Sequence, residues 1–297
     1  MRILLTGGTG LIGRALCQHW QAQGHQLWVC SRRPETVAAL CSGARGVATL
    51  EELPADLALD AVVNLAGAPI ADGRWSPARR QLLWRSRIDL TRTLVDWLTR
   101  QATPAPVLIS GSAVGWYGNQ GDVLLDESSP SGPADFGSQL CSAWEKEAER
   151  ARQWGVRVVL LRTAPVLSPS GGMLAKLRLP CKLGLGGRLG SGQQWMPWIA
   201  LQDEVALIDF LLQHPECSGV FNACAPGLAT NAEFTQALAR ALHRPAILPA
   251  PAWALRLALG EMSVLLLGGQ RLQPRRAQEA GFVFRYPELG AALAQVA

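Results

Sequence analysis

The sequence contains few of the residues on which several common enzyme chemistries depend. Its only lysines are Lys146, Lys176 and Lys182, and its four histidines have no carboxylate or thiol partner at the spacing of a zinc site or a Ser-His-Asp triad. The seven cysteines form no Cys-x-x-Cys pair and leave one over, which favours unpaired thiols in a reducing compartment. We therefore expect a cytoplasmic protein without a metal centre.

Long apolar runs and clustered charges are also missing. The apolar run at the N-terminus spans three residues before Thr6, which predicts no signal peptide, and the apolar stretch 253–267 is interrupted by Arg256 and Glu261. The formal net charge of +5 comes mostly from arginines scattered along the chain. We expect a small-molecule substrate as the partner, rather than a membrane or a nucleic acid. The oligomeric state stays open.

A glycine-rich turn follows the first apolar strand directly. Residues 3–5 lead into Gly7, Gly10 and Gly13, and an amphipathic helix comes next. In such a turn the first glycine lets the chain leave the strand, the second leaves room for a pyrophosphate and the third lets the helix pack closely. Backbone amides at the helix start then face the diphosphate. The predicted dinucleotide-binding residues here are Gly7, Thr9, Gly10, Leu11, Ile12 and Gly13.

Strand and helix patterns alternate along the first half of the chain, and the strands are continuous apolar runs. Both features predict an α/β fold with a Rossmann-type, doubly wound parallel sheet covered by helices on both faces. After about residue 165 the chain becomes rich in proline and glycine. We therefore place a nucleotide-binding domain at 1–165 and a smaller C-terminal substrate lobe at 166–297, with some elements returning to the main sheet. Strands are expected near 2–6, 26–31, 60–65, 106–111 and 156–162, and helices near 11–23, 77–101 and 137–153.

The end of the second predicted strand indicates which nucleotide binds. An acid at this position hydrogen-bonds a free ribose 2′-hydroxyl, whereas a cation accommodates a 2′-phosphate. The chain has Ser31, Arg32 and Arg33 here, about 20 residues past the glycines, and no acid between Val29 and Arg33. The alternative is that both arginines are solvated loop residues. We expect NADP(H) as the cofactor.

Several motifs together resemble the extended short-chain dehydrogenase/reductase superfamily. They are the glycine turn, the segment Asn64-Leu65-Ala66-Gly67 after a later strand, and Ser110-Gly111-Ser112-Ala113 at the end of the next. More narrowly, the chain looks like the "epimerase family" branch related to nucleotide-sugar epimerases, through Ser86-Arg87-Ile88, Trp144-Glu145 and Pro197-Trp198-Ile199. The resemblance implies an NADP-binding fold with Leu65, Ala66, Gly67 and Ser110 beside the cofactor. It implies no particular substrate.

The acid/base pair of that superfamily is missing. A Tyr-x-x-x-Lys on the helix after the serine-bearing strand supplies the proton there, but this chain has Phe136 and Leu140 at the two positions. The resemblance assigns Ser112 to the reacting oxygen. Tyr117, one of only two tyrosines, is our candidate proton donor, and its alternative role is aromatic packing. Further candidates, each with a structural alternative, are Asp126, Glu127 and Cys141.

Residues on the substrate side are expected in three segments. The glycine-rich segment 184–192 with Arg188, followed by Trp198, predicts a mobile lid that holds an anion against an apolar wall, or else a flexible hairpin with core tryptophans. Arg74, Trp75 and Arg87 are placed to face the same cleft. Two functions are compatible with these features: an NADP(H)-dependent oxidoreductase or epimerase-like enzyme acting at a carbonyl or alcohol carbon, and a catalytically weak NADPH-binding redox sensor or partner-binding protein.

Overall fold

A seven-stranded parallel sheet forms the centre of the structure, a computed structural model that describes residues 1–54, 56–182 and 186–296. Its strands are β1 (Arg2–Thr6), β2 (Gln26–Cys30), β3 (Arg45–Val47), β4 (Ala61–Asn64), β5 (Val107–Ala113), β7 (Arg157–Thr163) and β10 (Gly219–Ala223). They are arranged in the order β10-β7-β5-β4-β1-β2-β3, which reverses between β1 and β4. This confirms the predicted doubly wound parallel sheet, in which ligands bind at the carboxyl ends of the strands beside such a reversal. Two short parallel pairs lie outside it: β6 (Leu124–Leu125) with β11 (Arg271–Leu272), and β8 (Val166–Ser168) with β9 (Ile199–Ala200).

Helices cover both faces of the sheet and build the C-terminal part. The predicted helix over 77–101 is divided by a π-helical turn at Arg85–Asp89. Over the described ranges, none of the helices combines the length and the apolarity needed to cross a membrane. The helices are α1 (Leu11–Ala22), α2 (Val37–Leu40), α3 (Pro77–Trp84), α4 (Leu90–Thr99), α5 (Phe136–Glu149), α6 (Gly172–Lys182), α7 (Leu201–Gln213), α8 (Asn231–Ala241), α9 (Ala252–Leu259), α10 (Val264–Leu267), α11 (Arg275–Glu279) and α12 (Leu289–Val296).

Side chains alternate between the two faces of each strand, and each face has its own core. On one face, Leu5, Ile109 and Leu161 pack with residues of α1 and α7. On the other face, Leu108 and Leu160 pack with residues of α4 and α5. Polar residues near the carboxyl ends of the strands alternate in the same way. Two neighbouring residues of one strand therefore contact helices on opposite faces of the sheet.

The C-terminal part is connected to the sheet in two ways. α7 and β10 lie beyond residue 165 yet belong to the sheet layers, because β10 pairs with β7 and α7 packs on α1. A separate core joins β8, α6, α8 and α12 around the buried Trp198 and Phe234. A further group of side chains, which we call the apolar cluster, joins the chain after α9 to the nucleotide-binding half; it comprises Trp75, Leu83, Ile88, Leu140, Trp144 and Met262.

A buried carboxyl group lies where α7 meets the end of β7. Glu204 is fully buried, and its Oε1 accepts a hydrogen bond of 2.9 Å from the hydroxyl of Thr163. Its Oε2 has no hydrogen-bond partner among the described residues. Burial raises the pKa of Glu204 to about 8, although the Thr163 hydrogen bond acts in the opposite direction. The carboxyl group is therefore protonated in the folded protein at neutral pH.

The raised pKa of Glu204 predicts a stability that falls as the pH rises. Below the unfolded-state pKa the proton is bound in both states; between that value and the folded-state pKa of about 8 only the folded protein keeps it. The unfolding free energy should therefore decrease by about 1.4 kcal/mol per pH unit across this window. Glu204→Gln removes this contribution, so denaturant unfolding at pH 5, 6, 7 and 8 should give a flatter profile than the parent's.

Glu35→Gln is the matched control, because Glu35 is exposed. Its profile should follow that of the parent protein. Parallel profiles for the parent and Glu204→Gln would contradict the assignment of a protonated buried carboxyl.

Candidate functional site

The glycine turn after β1 has the shape that a dinucleotide site requires. Gly7 has a φ of +74°, and a Cβ built on it would lie 2.5 Å from the carbonyl oxygen of Leu65. A Cβ on Gly13 would lie 2.4 Å from the carbonyl oxygen of Gly7. At Gly10, by contrast, the nearest atom to such a Cβ is 3.2 Å away. The first and third glycines thus allow close backbone packing, whereas a Cβ on Gly10 would meet a single atom within 4 Å among the described residues.

The N-terminus of α1 is free to receive an anion. Gly10 is the N-cap residue, no side chain caps the helix there, and its first turn has no acidic residue. Thr9, Leu11 and Ile12 surround this end and are half-buried. Unpaired backbone amides and the positive end of the helix dipole therefore point to the space beside Gly10. The residues present fit a bound diphosphate.

Exposed arginines mark the end of β2. Arg32 and Arg33 are both exposed, and the backbone N–H of Arg33 donates to the hydroxyl of Ser31 over 3.2 Å. Arg14, in the first turn of α1, is exposed as well, and our motif search did not single it out. Arg32 and Arg33 thus lie where an adenosine 2′-phosphate is expected.

A buried hydrogen-bond network lies beneath the turn. Asn64 accepts from the Thr6 hydroxyl over 2.6 Å and donates to Thr91 and Ser110 over 2.8 and 3.3 Å. The indole of Trp144 donates to Thr91 as well. We expected Ser110 beside the cofactor, but Ser110 is fully buried. Its hydroxyl accepts the hydrogen bond from Asn64 beneath the strand ends.

The segment after β4 closes one side of the cleft. The backbone N–H of Leu65 donates to the carbonyl of Thr6, and the Leu65–Ala66 peptide packs directly against Gly7. Leu65 is half-buried, Ala66 is almost fully buried and Gly67 is exposed. This segment therefore continues the wall of the cleft away from the glycine turn.

Ser112 belongs to a buried ionic network near the carboxyl end of β5. Its hydroxyl donates to Oε1 of Glu145 on α5 over 2.6 Å. Glu145 also accepts from Nε and Nη2 of Arg162 on β7, over 2.8 and 2.9 Å. Both charged side chains are buried, and Ser112 itself is 5% exposed. Because the Ser112 proton is committed to Glu145, the serine oxygen is left with lone pairs and acts as an acceptor toward a ligand.

Two aromatic rings enclose the cation of this network. The guanidinium carbon of Arg162 lies 3.4 Å from the ring centroid of Trp116 and 4.9 Å from that of Tyr117. Burial acts to lower the pKa of Arg162, but the hydrogen bonds and charge of Glu145 raise it overall. Arg162 therefore stays charged. The sequence carries one clue to the network, the arginine that directly follows the apolar run 158–161 of β7, which our motif search did not use.

The expectation that Tyr117 is the proton donor is wrong for the observed position. Tyr117 is fully buried, and its hydroxyl donates to Oδ1 of Asn222 on β10 over 2.8 Å. Burial raises the pKa of Tyr117 to about 12 despite the nearby charge of Arg162. A phenol in this position packs the sheet end and is not available to a substrate.

The positions of the missing tyrosine and lysine are apolar in the structure as well. Phe136 is the first residue of α5, and its ring makes an edge contact with Trp75 at 5.0 Å between centroids. Leu140 is buried in the apolar cluster with Met262 from the C-terminal part. Neighbouring Cys141 is buried, and burial raises the pKa of its thiol to about 12. This part of α5 offers no group for proton transfer.

The two acidic candidates of the following loop have structural partners. Asp126 accepts from Ser128 and Ser129 and forms an ion pair with Arg275. Glu127 accepts from the backbone N–H groups of Asn222 and Arg276, over 3.0 and 3.2 Å, and burial raises its pKa. Both carboxylates thus hold the loop to β10 and α11. Neither is placed as an acid for the cleft.

The structure corrects two residues expected on the substrate side. Trp198 is fully buried in the C-terminal core, and its indole donates to the carbonyl of Gly227. Trp75 is buried in the apolar cluster and donates to the carbonyl of Ile70. Both indoles therefore pack the interior and form no wall of a substrate cleft.

The three arginines of the substrate side differ in their surroundings. Arg74 is exposed and donates to the carbonyls of Leu257 and Ala258 at the end of α9. Arg188 is exposed, and the backbone around it pairs with residues 248–250. The first part of the predicted lid, residues 184 and 185, lies outside the described residues. Arg87 is half-buried beside Gly67.

Among residues 1–54, 56–182 and 186–296, no three His, Cys, Asp or Glu side chains come together as metal ligands would. The structure thus brings together the glycine turn, Arg32, Arg33, the Leu65–Gly67 segment and Ser112 around the carboxyl ends of the strands. Ser110 joins them from beneath through Asn64, whereas Tyr117, Trp75 and Trp198 pack elsewhere.

Proteins of known structure share this fold. Human epimerase family protein SDR39U1, crystallised with NADPH, is 36% identical with a TM-score of 0.91, covering 100% of this chain and 99% of that protein. A UDP-glucose 4-epimerase from Thermotoga maritima, crystallised with UDP-glucose, has a TM-score of 0.80 at 21% identity over 100% and 97% of the two chains. The second likeness is one of fold alone.

Sequence comparison gives the same grouping. The epimerase family protein Mb2239 of Mycobacterium bovis is 42% identical over 98% of this chain and 96% of its own length. A domain of unknown function, DUF1731, matches residues 250–296. The profile of the NAD dependent epimerase/dehydratase family matches residues 3–224. The expected resemblance is confirmed, and the chain belongs to the NAD dependent epimerase/dehydratase family, in the branch of the epimerase family proteins.

Proposed function

We propose that this chain binds NADP(H) at the glycine turn and works as an oxidoreductase on a carbonyl or alcohol carbon. The free N-terminus of α1, the space beside Gly10 and the exposed Arg32 and Arg33 support this cofactor. The NADPH held by the human relative supports it too. When bound, the cofactor supplies or takes up a hydride. Arg32 and Arg33 pair with its 2′-phosphate, and the amides of α1 hold its diphosphate.

The proposed oxidoreductase activity rests on a single observation, the network of Ser112, Glu145 and Arg162. Burying an ion pair is costly, and a well-packed apolar pair of similar volume is often as stable. Here the pair fixes the direction of one hydroxyl near the carboxyl end of β5. Ser112 accepts a hydrogen bond from the hydroxyl of the alcohol, whether this is substrate or product, and orients it. Since Phe136 and Leu140 supply no acid, the proton exchanges with solvent. The substrate is a small molecule of the nucleotide-sugar type or simpler.

A second candidate function follows from the apolar cluster. At the two positions where the superfamily carries its acid and base, Phe136 packs against the apolar cluster and Leu140 is buried in it. A protein with this arrangement binds NADPH and converts little, and serves as a redox sensor or binds a partner instead. Both candidates place the protein in the cytoplasm, since its seven cysteines are unpaired thiols that suit a reducing compartment.

Gly10→Val should abolish NADPH binding without unfolding the protein. The added side chain enters the space expected for the pyrophosphate, while its Cβ meets the carbonyl oxygen of Gly7 at 3.2 Å, a contact that a shift of a few tenths of an ångström relieves. NADPH fluorescence titration and a thermal melt measure the two effects. Gly290→Val, at an exposed helical position with no atom within 4 Å of the added Cβ, is the control. Normal NADPH binding by Gly10→Val would place the nucleotide elsewhere.

The protein should bind NADPH at least about tenfold more tightly than NADH, because charge-assisted hydrogen bonds to a phosphate contribute about 1.5–3 kcal/mol. Replacing Arg32 and Arg33 together by alanine should remove most of this preference. Arg240→Ala, a change at an exposed arginine of α8, should leave it intact. The measurement is a pair of titrations for each protein. Equal affinity of the parent protein for both cofactors would refute the assignment.

Ser112→Ala should lower turnover about 10- to 100-fold and change NADPH affinity by less than about twofold, since the hydroxyl orients the reacting group and not the nucleotide. Steady-state kinetics on compounds that the parent converts, from a panel of hydroxy and oxo acids and nucleotide sugars, measures this. Ser142→Ala, on the exposed side of α5, is the control. Unchanged turnover in Ser112→Ala would show that Ser112 does not orient the reacting group. Tight NADPH binding with no conversion of any compound would favour the sensor.

A further inference from the structure

Arg87 lies where the segment after β4 meets the helices that follow it. It belongs to the π-helical turn Arg85–Asp89 between α3 and α4, and such turns are frequent at functional sites. A Cβ built on Gly67 would lie 2.9 Å from the guanidinium carbon of Arg87. The guanidinium therefore packs directly on the backbone of the Leu65–Gly67 segment, next to the proposed nucleotide cleft.

Every protein partner of this guanidinium is uncharged. Its Nη2 donates to the carbonyl of Ala68 over 2.9 Å, and its Nη1 makes two longer contacts of 3.4 Å, to Leu83 and Ser86. Its face lies 5.3 Å from the ring centroid of Trp144. Across the described residues, Arg87 forms no salt bridge to a carboxylate.

The charge of Arg87 is thus only partly compensated. Burial lowers the pKa of Arg87, and Arg79 lowers it further. Arg162, the buried arginine of the neighbouring network, has Glu145 as its partner. Within the described ranges no carboxylate does the same for Arg87, whose hydrogen-bond partners there are neutral.

We propose that Arg87 binds the anionic group of the substrate, a carboxylate or a phosphate. A half-buried cation with neutral partners gains most from an anion, and the flat guanidinium suits the paired oxygens of either group. This inference rests on the proposed function and defines its substrate class: a molecule with a hydroxyl or carbonyl carbon for the hydride and an anion that Arg87 holds.

Anion binding to the NADPH complex tests this without requiring turnover. Oxalate and inorganic phosphate are titrated separately by calorimetry into the parent protein saturated with NADPH, and the thermal midpoint is recorded with and without each anion. One of the two should bind and raise the midpoint by mass action. Arg87→Met should weaken the binding of that anion at least about tenfold. Arg87→Lys keeps the charge without the planar guanidinium and should weaken the binding less.

Arg85→Met is the matched control, since Arg85 is exposed on the same π-helical turn and should leave anion affinity unchanged. NADPH affinity is measured for each variant and should stay within about twofold of the parent value. If Arg87→Met does not fold, the test rests on Arg87→Lys, which must weaken anion binding while NADPH still binds.

Three results would overturn the proposal: no binding of either anion by the parent complex, equal anion affinity in Arg87→Met and the parent, or a loss of NADPH affinity in Arg87→Met as large as the loss of anion affinity. The last result would assign Arg87 to a phosphate of the cofactor. Arg87-dependent anion binding in a protein that converts no substrate would keep the anion site and refute the oxidoreductase. The two failures are therefore distinguishable.

Discussion

The buried ion pair of Arg162 and Glu145 is the contact on which the arrangement of the candidate site depends. It joins β7 to α5, and through Glu145 it fixes the hydroxyl of Ser112 on β5. The rings of Trp116 and Tyr117 cover the cation. Loss of one charge would leave the other buried and unpaired, which typically costs about 3–5 kcal/mol. The pair thus keeps the Ser112 hydroxyl directed at Glu145 and leaves the serine oxygen as a hydrogen-bond acceptor.

The C-terminal part has a comparable effect on α5. Met262 packs with Leu140 and Trp144, and Arg74 holds the end of α9 through two carbonyls. The face of α5 where the superfamily carries its tyrosine and lysine is therefore used to join the two parts of the chain. Hydride chemistry without a protein acid and NADPH binding without chemistry are both compatible with this packing. The fixed hydroxyl of Ser112 and the only partly compensated charge of Arg87 favour the first.

Sequence patterns predicted the fold and the family, because glycine spacing and apolar runs report on backbone geometry. They missed the short β3, which has only three residues, and β10, which follows the change of composition. They failed most often for single side chains. Ser110, Tyr117 and Trp198 are close to functional motifs in sequence, yet each is fully buried. Which face of a strand or loop a residue meets depends on tertiary packing, and a buried partner such as Glu145 for Ser112 leaves no signal in local sequence.

A crystal structure of the complex with NADP⁺ tests the central claim most directly, namely that the buried ion pair holds Ser112 as an acceptor beside the cofactor. The account predicts that the Ser112 Oγ to Glu145 Oε1 contact stays at its present 2.6 Å and that any ligand group within reach of Oγ is a donor. A Ser112 side chain turned away from Glu145, with its hydroxyl donating to a carbonyl oxygen of a ligand, would contradict it.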